Sequence, residues 1–214
     1  MIAMPTSTRR SERRQAAQAD LFAPAFPDGL IYARDFLAPA EEAALLRAFG
    51  GLAFHEARYK AYTAKRRIVS FGSSYDFGEN VLHDAPPIPS FLLPLRAKAA
   101  AWAELPAERL TDALIAEYAP GTQLGWHRDV PQFEQVVGIS LAGECRMRFR
   151  PYPGSDVPTS AASSRGSTFD ITLEPRSVYI LQREIRWRWQ HMIPPTRELR
   201  YSITFRARRE RRPG

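Results

Sequence analysis

Two histidines and one aspartate have the types and spacing of a metal site. His127 and Asp129 are two residues apart, so on an extended strand both side chains project from the same face. His191 lies far downstream and completes a set of two imidazoles and one carboxylate. Such a set binds one face of an iron(II) ion and leaves the opposite positions open for substrate and dioxygen. His-x-Asp alone predicts little, because each histidine could be structural, and the metal prediction depends on the distal residues.

A strand-like segment near the C-terminus carries two arginines on one of its faces. An arginine inside a β-barrel is costly unless an anion pairs with it, ideally in bidentate geometry. A dicarboxylate that also chelates iron, such as 2-oxoglutarate, would supply that anion, although pairing with Asp or Glu across a sheet is an alternative. Together with the metal set, the segment predicts a 2-oxoglutarate- and Fe(II)-dependent dioxygenase. The polar face presents Arg200, Ser202, Thr204 and Arg206, and the other face presents Tyr201, Ile203 and Phe205.

Composition is that of an intracellular enzyme with one core. The chain has 214 residues, of which 44% are hydrophobic. Cys145 is its single cysteine, which excludes a disulfide framework and a thiolate metal site. The apolar runs are too short for a membrane span, and the basic N-terminus lacks the apolar segment of a secretory signal. We therefore expect a cytoplasmic monomer without membrane contact.

The chain carries a net charge of +7, from 30 basic and 23 acidic residues, and nearly all of the basic residues are arginine. A basic protein concentrates near polyanions, of which nucleic acid is the usual one. A solvated arginine-rich surface would give the same count. The charge is therefore compatible with a nucleic-acid partner without identifying it.

The elements that must position these residues fall into two parts. Residues 1–20 are polar and basic and predict a disordered arm, followed by a single domain over residues 21–214. Helices are predicted at Pro39–Phe49 and at Pro89–Trp102, the second broken or kinked at Pro94.

Short strand candidates separated by turn signals dominate the C-terminal half. Together they predict an α+β fold with a double-stranded β-helix (jelly roll) core at about residues 110–208 and N-terminal helices packed on it. A segment rich in Ser, Pro, Gly and Ala, residues 153–166, predicts a mobile hairpin tip. The strand candidates are residues 30–32, 67–71, 113–118, 123–127, 136–141, 146–152, 168–173, 177–181, 187–191 and 199–206.

Several linked motifs resemble the AlkB family of dioxygenases. The stretch from Ile115 to Asp129 is similar to that family's iron-binding strand. Ser140-Leu141, the segment 190–195 and the segment 200–206 follow in the same order, so that the resemblance covers about residues 110–206. Weaker similarity extends upstream to residues 65–72 and 75–77. The order of several motifs makes the resemblance specific for the superfamily.

The resemblance implies roles for eight residues, with Fe(II) as cofactor and 2-oxoglutarate and O2 as cosubstrates. It implies that His127, Asp129 and His191 bind iron, that Tyr118, Arg200 and Arg206 contact 2-oxoglutarate, and that Ser202 and Thr204 line the same pocket.

Three positions depart from the family's alkylated-DNA repair member. Ala116 and Ser202 stand where that enzyme has asparagines, which weakens the polar surroundings of 2-oxoglutarate but leaves both arginines. Pro131 stands where it has an acidic residue that contacts the methylated base. The departures therefore bear more on the substrate than on the cofactor chemistry.

The resemblance makes oxidative demethylation of alkylated bases in DNA or RNA the leading hypothesis, with a single-stranded or flipped base as substrate. Aromatic and basic residues interleaved upstream could form a recognition lid, or could equally be core aromatics and solvated cations. An oxygenase acting on a protein side chain or small molecule is the alternative, slightly favoured by Pro131. A second alternative is a non-catalytic nucleic-acid-binding jelly roll. The candidate substrate-binding residues are Tyr59, Tyr62, Lys65, Arg66, Arg67, Phe71 and Tyr75 in the lid and Trp126 at the mouth of the site.

Overall fold

The computed structural model describes residues 26–59, 62–76, 78–155 and 168–210, without the side chains of residues 58, 59 and 62–64. The predicted arm at residues 1–20 and the predicted hairpin tip from residue 156 onward lie outside this range. The described elements, in chain order, are β1 (Leu30–Ala33), α1 (Pro39–Phe49), β2 (His55–Tyr59), β3 (Tyr62–Phe71), β4 (Ser73–Asp76), β5 (Val81–Asp84), α2 (Leu93–Trp102), β6 (Leu110–Tyr118), β7 (Leu124–His127), β8 (Phe133–Ala142), β9 (Cys145–Pro151), β10 (Phe169–Leu173), β11 (Val178–Leu181), α3 (Arg183–Arg188), β12 (Trp189–Ile193) and β13 (Arg200–Arg208).

Two antiparallel sheets pack face to face. The major sheet has the strand order β1-β11-β8-β13-β6-β3-β2, and the minor sheet has the order β10-β9-β12-β7. Strands β4 and β5 form a separate hairpin beside them. The predicted α+β fold with a double-stranded β-helix core is confirmed.

Alternation along β13 divides the interior into two compartments. Ile203 and Phe205 are fully buried in a cluster that joins the major sheet to α1 and α2. The opposite face of β13 points between the two sheets, where a second apolar cluster contains Tyr118 and Phe149. Because strand side chains alternate between faces, one strand contributes to both compartments.

Helix α1 begins and ends as the sequence predicts. Pro39 occupies the first turn, where its missing N–H costs no hydrogen bond, and the Glu41 carboxylate accepts a 2.7 Å bond from the Ala38 backbone N–H. Leu45 and Phe49 are its buried side chains. The helix is therefore capped at its N-terminus by a local hydrogen bond, and its buried side chains pack against the major sheet.

Three expectations about the elements are revised by the structure. The predicted helix at Pro89–Trp102 is broken one residue before Pro94 rather than kinked, because a 3-10 turn over Ser90–Leu92 precedes α2 and Pro94 lies in the first turn of α2. Trp187 lies in α3 rather than in the strand of His191, so the two do not share a sheet face. Arg208 lies inside β13 and not beyond it.

Within the described residues, no helix combines the length and apolar character needed to cross a membrane.

Candidate active site

His127, Asp129 and His191, here named the His-Asp-His cluster, meet between the two sheets. One candidate ligand atom from each residue lies within 4.8 Å of the others. His191 Nε2 is 3.8 Å from Asp129 Oδ2, and the two imidazole centroids are 4.2 Å apart. Two imidazoles and one carboxylate at this separation could hold one divalent ion, and iron(II) is the ion that this donor set suits in oxygenases.

A bulge in β7 turns His127 toward the cluster. His127 pairs with His191 across β7 and β12, whereas Leu124 pairs with Ile193, so four residues of β7 lie opposite three of β12. The extra residue lets Leu124 and His127 face the same side although they are three apart. Both line the cavity described below.

The surroundings keep the cluster in a metal-binding protonation state. The Nδ1–H of His127 donates to the Gly125 carbonyl at 2.8 Å, which leaves Nε2 free for a metal. Burial lowers the pKa of His127 below its usual value and that of His191 to about 3, so both are neutral near pH 7. Burial alone would raise the pKa of Asp129, but His191 and Arg186 outweigh it, so its pKa lies below the ordinary value.

A cavity of about 130 Å³ opens beside the cluster. Its walls come from β3, β6 and β13 of the major sheet and from β7 and β12 of the minor sheet. All four polar residues of β13 named above reach it, as the alternation of the sequence predicts. The lining includes Tyr118, Tyr179, Arg200, Ser202, Thr204 and Arg206.

Arg200 is the strongest indication of an anionic ligand. Its side chain is 0% exposed, and its guanidinium lies 5.0 Å from the centre of the Tyr118 ring. Nε donates to Ser140 Oγ at 3.1 Å, but Nη1 and Nη2 find no hydrogen-bond partner among the described residues. An unpaired buried charge is costly, and a bound carboxylate would satisfy both nitrogens at once. The chain therefore fits a small dicarboxylate that also reaches the metal.

Arg206 lines the same cavity as the His-Asp-His cluster. Burial lowers the pKa of Arg206, and the charge of Asp129 opposes that shift. Its Nε is buried without a partner in the described part of the chain, and its guanidinium is 5.3 Å from the centre of the Phe133 ring. Arg206 could thus contact a ligand between Arg200 and the metal.

Two of the departures from the family pattern face each other in the cavity wall. Ser202 pairs with Ala116 of β6 on one side and with Ser140 of β8 on the other. All three side chains are small, and only the two serines offer a hydroxyl, of which that of Ser140 already accepts from Arg200. Pro131, the third departure, is exposed in the loop after Asp129.

The structure distributes the predicted lid over different environments. Phe71 is 7% exposed and packs in the core beneath the helices, so the expectation that it joins a recognition surface is wrong. Arg66 is 8% exposed, lines the cavity and donates from Nη1 to the Tyr118 hydroxyl at 3.4 Å, so it lies in the pocket wall rather than in an exposed lid. Lys65 is exposed, and Arg67 pairs with Glu117 at 2.6 Å.

Tyr75 does reach the cavity, and it also lines a groove of about 580 Å³ that adjoins it. Trp126 lies on the outer side of β7 beneath Arg150 rather than in the cavity wall, so the expectation that it lines the mouth is not met. The side chains of Tyr59 and Tyr62 lie outside the described residues. Of the predicted lid, Arg66 and Tyr75 are thus the side chains seen to reach the cavity.

Sequence analysis missed two residues of the site. Tyr179 enters the cavity from β11, where an added Cβ on Gly138 of β8 would lie 2.1 Å from its ring. The glycine within an apolar strand was the available signal. Arg186 of α3 is 2% exposed and donates from Nη2 to the Val130 and Phe133 carbonyls, both at 2.7 Å. Nothing local in the sequence distinguishes Arg186 from its arginine neighbours.

Comparison with known proteins agrees with this geometry. A family model described as the 2OG-Fe(II) oxygenase superfamily matches residues 29–206. The alkylated DNA repair protein ALKBH8 homolog of Arabidopsis thaliana is 32% identical in an alignment of 184 residues that covers 78% of this chain and 51% of that protein. The tRNA (carboxymethyluridine(34)-5-O)-methyltransferase alkbh8 of Xenopus tropicalis is 26% identical over 82% of this chain and 27% of its own length. This chain thus spans about half of the first relative and about a quarter of the second.

Solved structures share the fold at low sequence identity. The structure of OsALKBH1 superposes with a TM-score of 0.67 at 16% identity, over 86% of this chain and 98% of that one. A prolyl-4-hydroxylase from Pseudomonas putida gives a TM-score of 0.56 at 16% identity, over 86% and 94% of the two chains. The chain belongs to the 2OG-Fe(II) oxygenase superfamily, whose members use Fe(II), 2-oxoglutarate and O2, and it is similar to AlkB-family proteins.

Proposed function

We propose that this enzyme removes N-methyl groups from alkylated bases in single-stranded or unpaired nucleic acid. The observation that carries the proposal is the cavity, in which the His-Asp-His cluster faces the unpaired guanidinium of Arg200 and the adjoining groove gives access to it. The similarity to a relative named for alkylated DNA repair and the charge of +7 support a nucleic-acid substrate.

Each side chain has a distinct part in this proposal. His127, Asp129 and His191 would hold Fe(II), and Arg200 would bind the distal carboxylate of 2-oxoglutarate beside Tyr118. Arg206, Ser202 and Thr204 would complete that pocket. When bound, Fe(II) with 2-oxoglutarate and O2 supplies the oxidation that converts an N-methyl group to N-hydroxymethyl, with release of succinate and CO2. The hydroxymethyl group then leaves as formaldehyde, and the base nitrogen regains its proton.

Burial of the pocket supports this chemistry. Arg200 and Tyr118 are fully or nearly fully buried, so a carboxylate that replaces water there meets fixed donors in a low-dielectric setting. Arg66 and Tyr75 lie between the cavity and the groove, where they could contact the substrate itself.

Formaldehyde and succinate release test the proposal directly. Purified protein with Fe(II) and 2-oxoglutarate would be assayed with single-stranded oligonucleotides carrying N-methyladenine or N-methylcytosine, against the same strands without methyl groups. The His191→Ala variant gives the background. We expect methyl-dependent formaldehyde in amounts matching the succinate formed.

An oxygenase acting on a protein side chain or small molecule is the second candidate, because the exposed Pro131 offers no polar group to a base. Peptides and metabolites therefore belong in the same assay. If they raise succinate formation and methylated oligonucleotides do not, this second function replaces the first. The non-catalytic alternative does not agree with membership of an oxygenase family.

A further inference from the structure

The outer face of the minor sheet carries a row of three arginines, two exposed and one half-buried, that does not line the cavity. Arg146, Arg148 and Arg150, here named the β9 row, alternate with buried side chains that face the cavity side of the sheet. Alternate residues on a strand lie about 7 Å apart, so the three arginines are evenly spaced along one face of the strand. None of the three lines the cavity or the adjoining groove.

Only one carboxylate contacts the β9 row within the described residues. Asp170 Oδ1 accepts from Arg148 Nε at 3.0 Å, and Asp170 Oδ2 lies 3.6 Å from Arg146 Nη1. Arg150 Nε instead donates to the neutral Gln190 Oε1 at 3.0 Å. Three guanidiniums against one carboxylate leave the row with an excess of positive charge.

Aromatic side chains extend the row to the cavity. The Arg150 guanidinium lies 4.3 Å from the centre of the Trp126 ring. Tyr152, 36% exposed, follows β9 directly and lies 3.6 Å beneath the guanidinium of Arg128. Arg128 lines the cavity, and its Nη1 donates to the Trp187 carbonyl at 2.9 Å. A line of cations and rings thus runs from the outer sheet face to the cavity wall.

We propose that the β9 row, with Trp126 and Tyr152, binds the phosphate backbone of the strand whose methylated base enters the cavity. The inference rests on the proposed function and extends it to a second contact surface. Stacking already holds the guanidiniums of Arg150 and Arg128, so less side-chain freedom is lost when a phosphate binds. Arginine donors and exposed rings together are what proteins use to follow a single strand.

Charge-neutral variants test the row. The triple variant Arg146→Gln, Arg148→Gln, Arg150→Gln would be compared with Arg34→Gln, Arg47→Gln, Arg183→Gln, which removes the same charge from exposed positions outside the cavity lining. Binding of a fluorescent single-stranded oligonucleotide would be measured from 50 to 200 mM salt. Affinity for 2-oxoglutarate, measured on the same preparations, checks that each variant is folded.

Counterion release fixes the size of the expected effect. Each phosphate contact on a single strand contributes about 0.7 to the slope of log K against log salt, so three contacts contribute about 2. We expect the slope of the row variant to be smaller in magnitude than that of wild type by about 2. We also expect this variant to bind the oligonucleotide about 10- to 100-fold more weakly near 100 mM salt. The control variant should lose much less, and both should bind 2-oxoglutarate normally.

The outcomes separate the row from the proposed function. If the row variant and the control variant lose affinity equally while the wild type binds and demethylates oligonucleotides, the row is overturned and the proposed function stands. If the wild type neither binds oligonucleotides at 50 mM salt nor releases formaldehyde from them, both are overturned. Should the triple variant fail to fold, Arg146→Gln alone is tested, at the most exposed position of the row. Its slope should be smaller than that of wild type by about a third of the change expected for the triple variant, and an unchanged slope would overturn the row.

Discussion

Replacing Arg200 by methionine separates ligand binding from stability. Methionine fills a similar volume without charge, and the guanidinium it removes is fully buried with two unpaired nitrogens in the described structure. Burying a charge without a counter-ion is costly, so an apolar side chain of similar volume should be at least as stable in its place. We therefore expect the ligand-free Arg200→Met variant to unfold at the wild-type temperature or slightly above it, and to lose 2-oxoglutarate.

The lost affinity follows from the two free nitrogens. Each charge-assisted hydrogen bond contributes about 1.5–3 kcal/mol, so loss of a bidentate pair costs about 3–6 kcal/mol. That corresponds to about a 10²- to 10⁴-fold increase in Kd. At a ligand concentration 100-fold above the wild-type Kd, wild type gains about 2.7 kcal/mol. For a chain of this length, that gain is a rise in Tm of about 5–11 °C.

Thermal unfolding with and without 2-oxoglutarate, under anaerobic conditions with Fe(II), measures both effects. The wild type should show the rise and Arg200→Met should show almost none. Arg34→Met, at an exposed arginine that pairs with Glu174, should behave like wild type. An equal ligand-induced rise in wild type and Arg200→Met would refute the role assigned to the unpaired guanidinium, as would severe destabilisation of the ligand-free variant.

Three further predictions concern the metal, its supporting loop and the sheet. Alanine at any residue of the His-Asp-His cluster should abolish Fe(II)-dependent succinate formation while far-UV circular dichroism stays unchanged, and full turnover by one variant would remove that residue from the ligand set. Arg186→Leu leaves two loop carbonyls without their donor and should weaken Fe(II) binding about 10- to 100-fold, with partial recovery in Arg186→Lys; unchanged Fe(II) affinity would contradict its positioning role. Burial would raise the pKa of Asp112, but hydrogen bonds from Arg208, Ser73 and Thr111 outweigh burial and lower it. The ionised Asp112 therefore stabilises the folded protein above about pH 4, and this stabilisation is lost as the pH falls below that value. Asp112→Asn should therefore cost about 3 kcal/mol in urea unfolding at pH 7 and much less at low pH, and equal losses at both would contradict the ion pair.

The last prediction also corrects an expectation about Arg208. The strand predicted at residues 199–206 ends two residues before Arg208, which would leave its side chain in solvent. Its guanidinium instead donates to both carboxylate oxygens of the buried Asp112, at 3.0 and 3.1 Å. Arg208 is therefore unsuitable as a control, and Arg34 takes its place.

Local periodicity was enough to group the four polar side chains of β13 on one face, and the resemblance assigned that face to the cavity. Strand geometry puts residues 200, 202, 204 and 206 on one face whatever the rest of the fold does, and two arginines there require an anion or an acidic partner. The start of α1 was also set by local sequence. Pro39 fits the first turn, and Glu41, two residues later, caps the helix by accepting a hydrogen bond from the Ala38 backbone N–H. The order of the motifs, together with these periodic signals, was sufficient for the fold and the family.

Only tertiary contacts decided which arginines outside β13 turn toward the cavity and the metal-binding loop. Arg66 turns inward to Tyr118, a residue 52 positions away in the chain, although its neighbours Lys65 and Arg67 are exposed. Arg186 reaches carbonyls more than 50 positions away, in the loop after Asp129. The sequence around these arginines contains no periodic or turn signal for such contacts. Their direction is set by which strands pair and which sheet faces meet, and that becomes defined only when the whole double-stranded β-helix has formed.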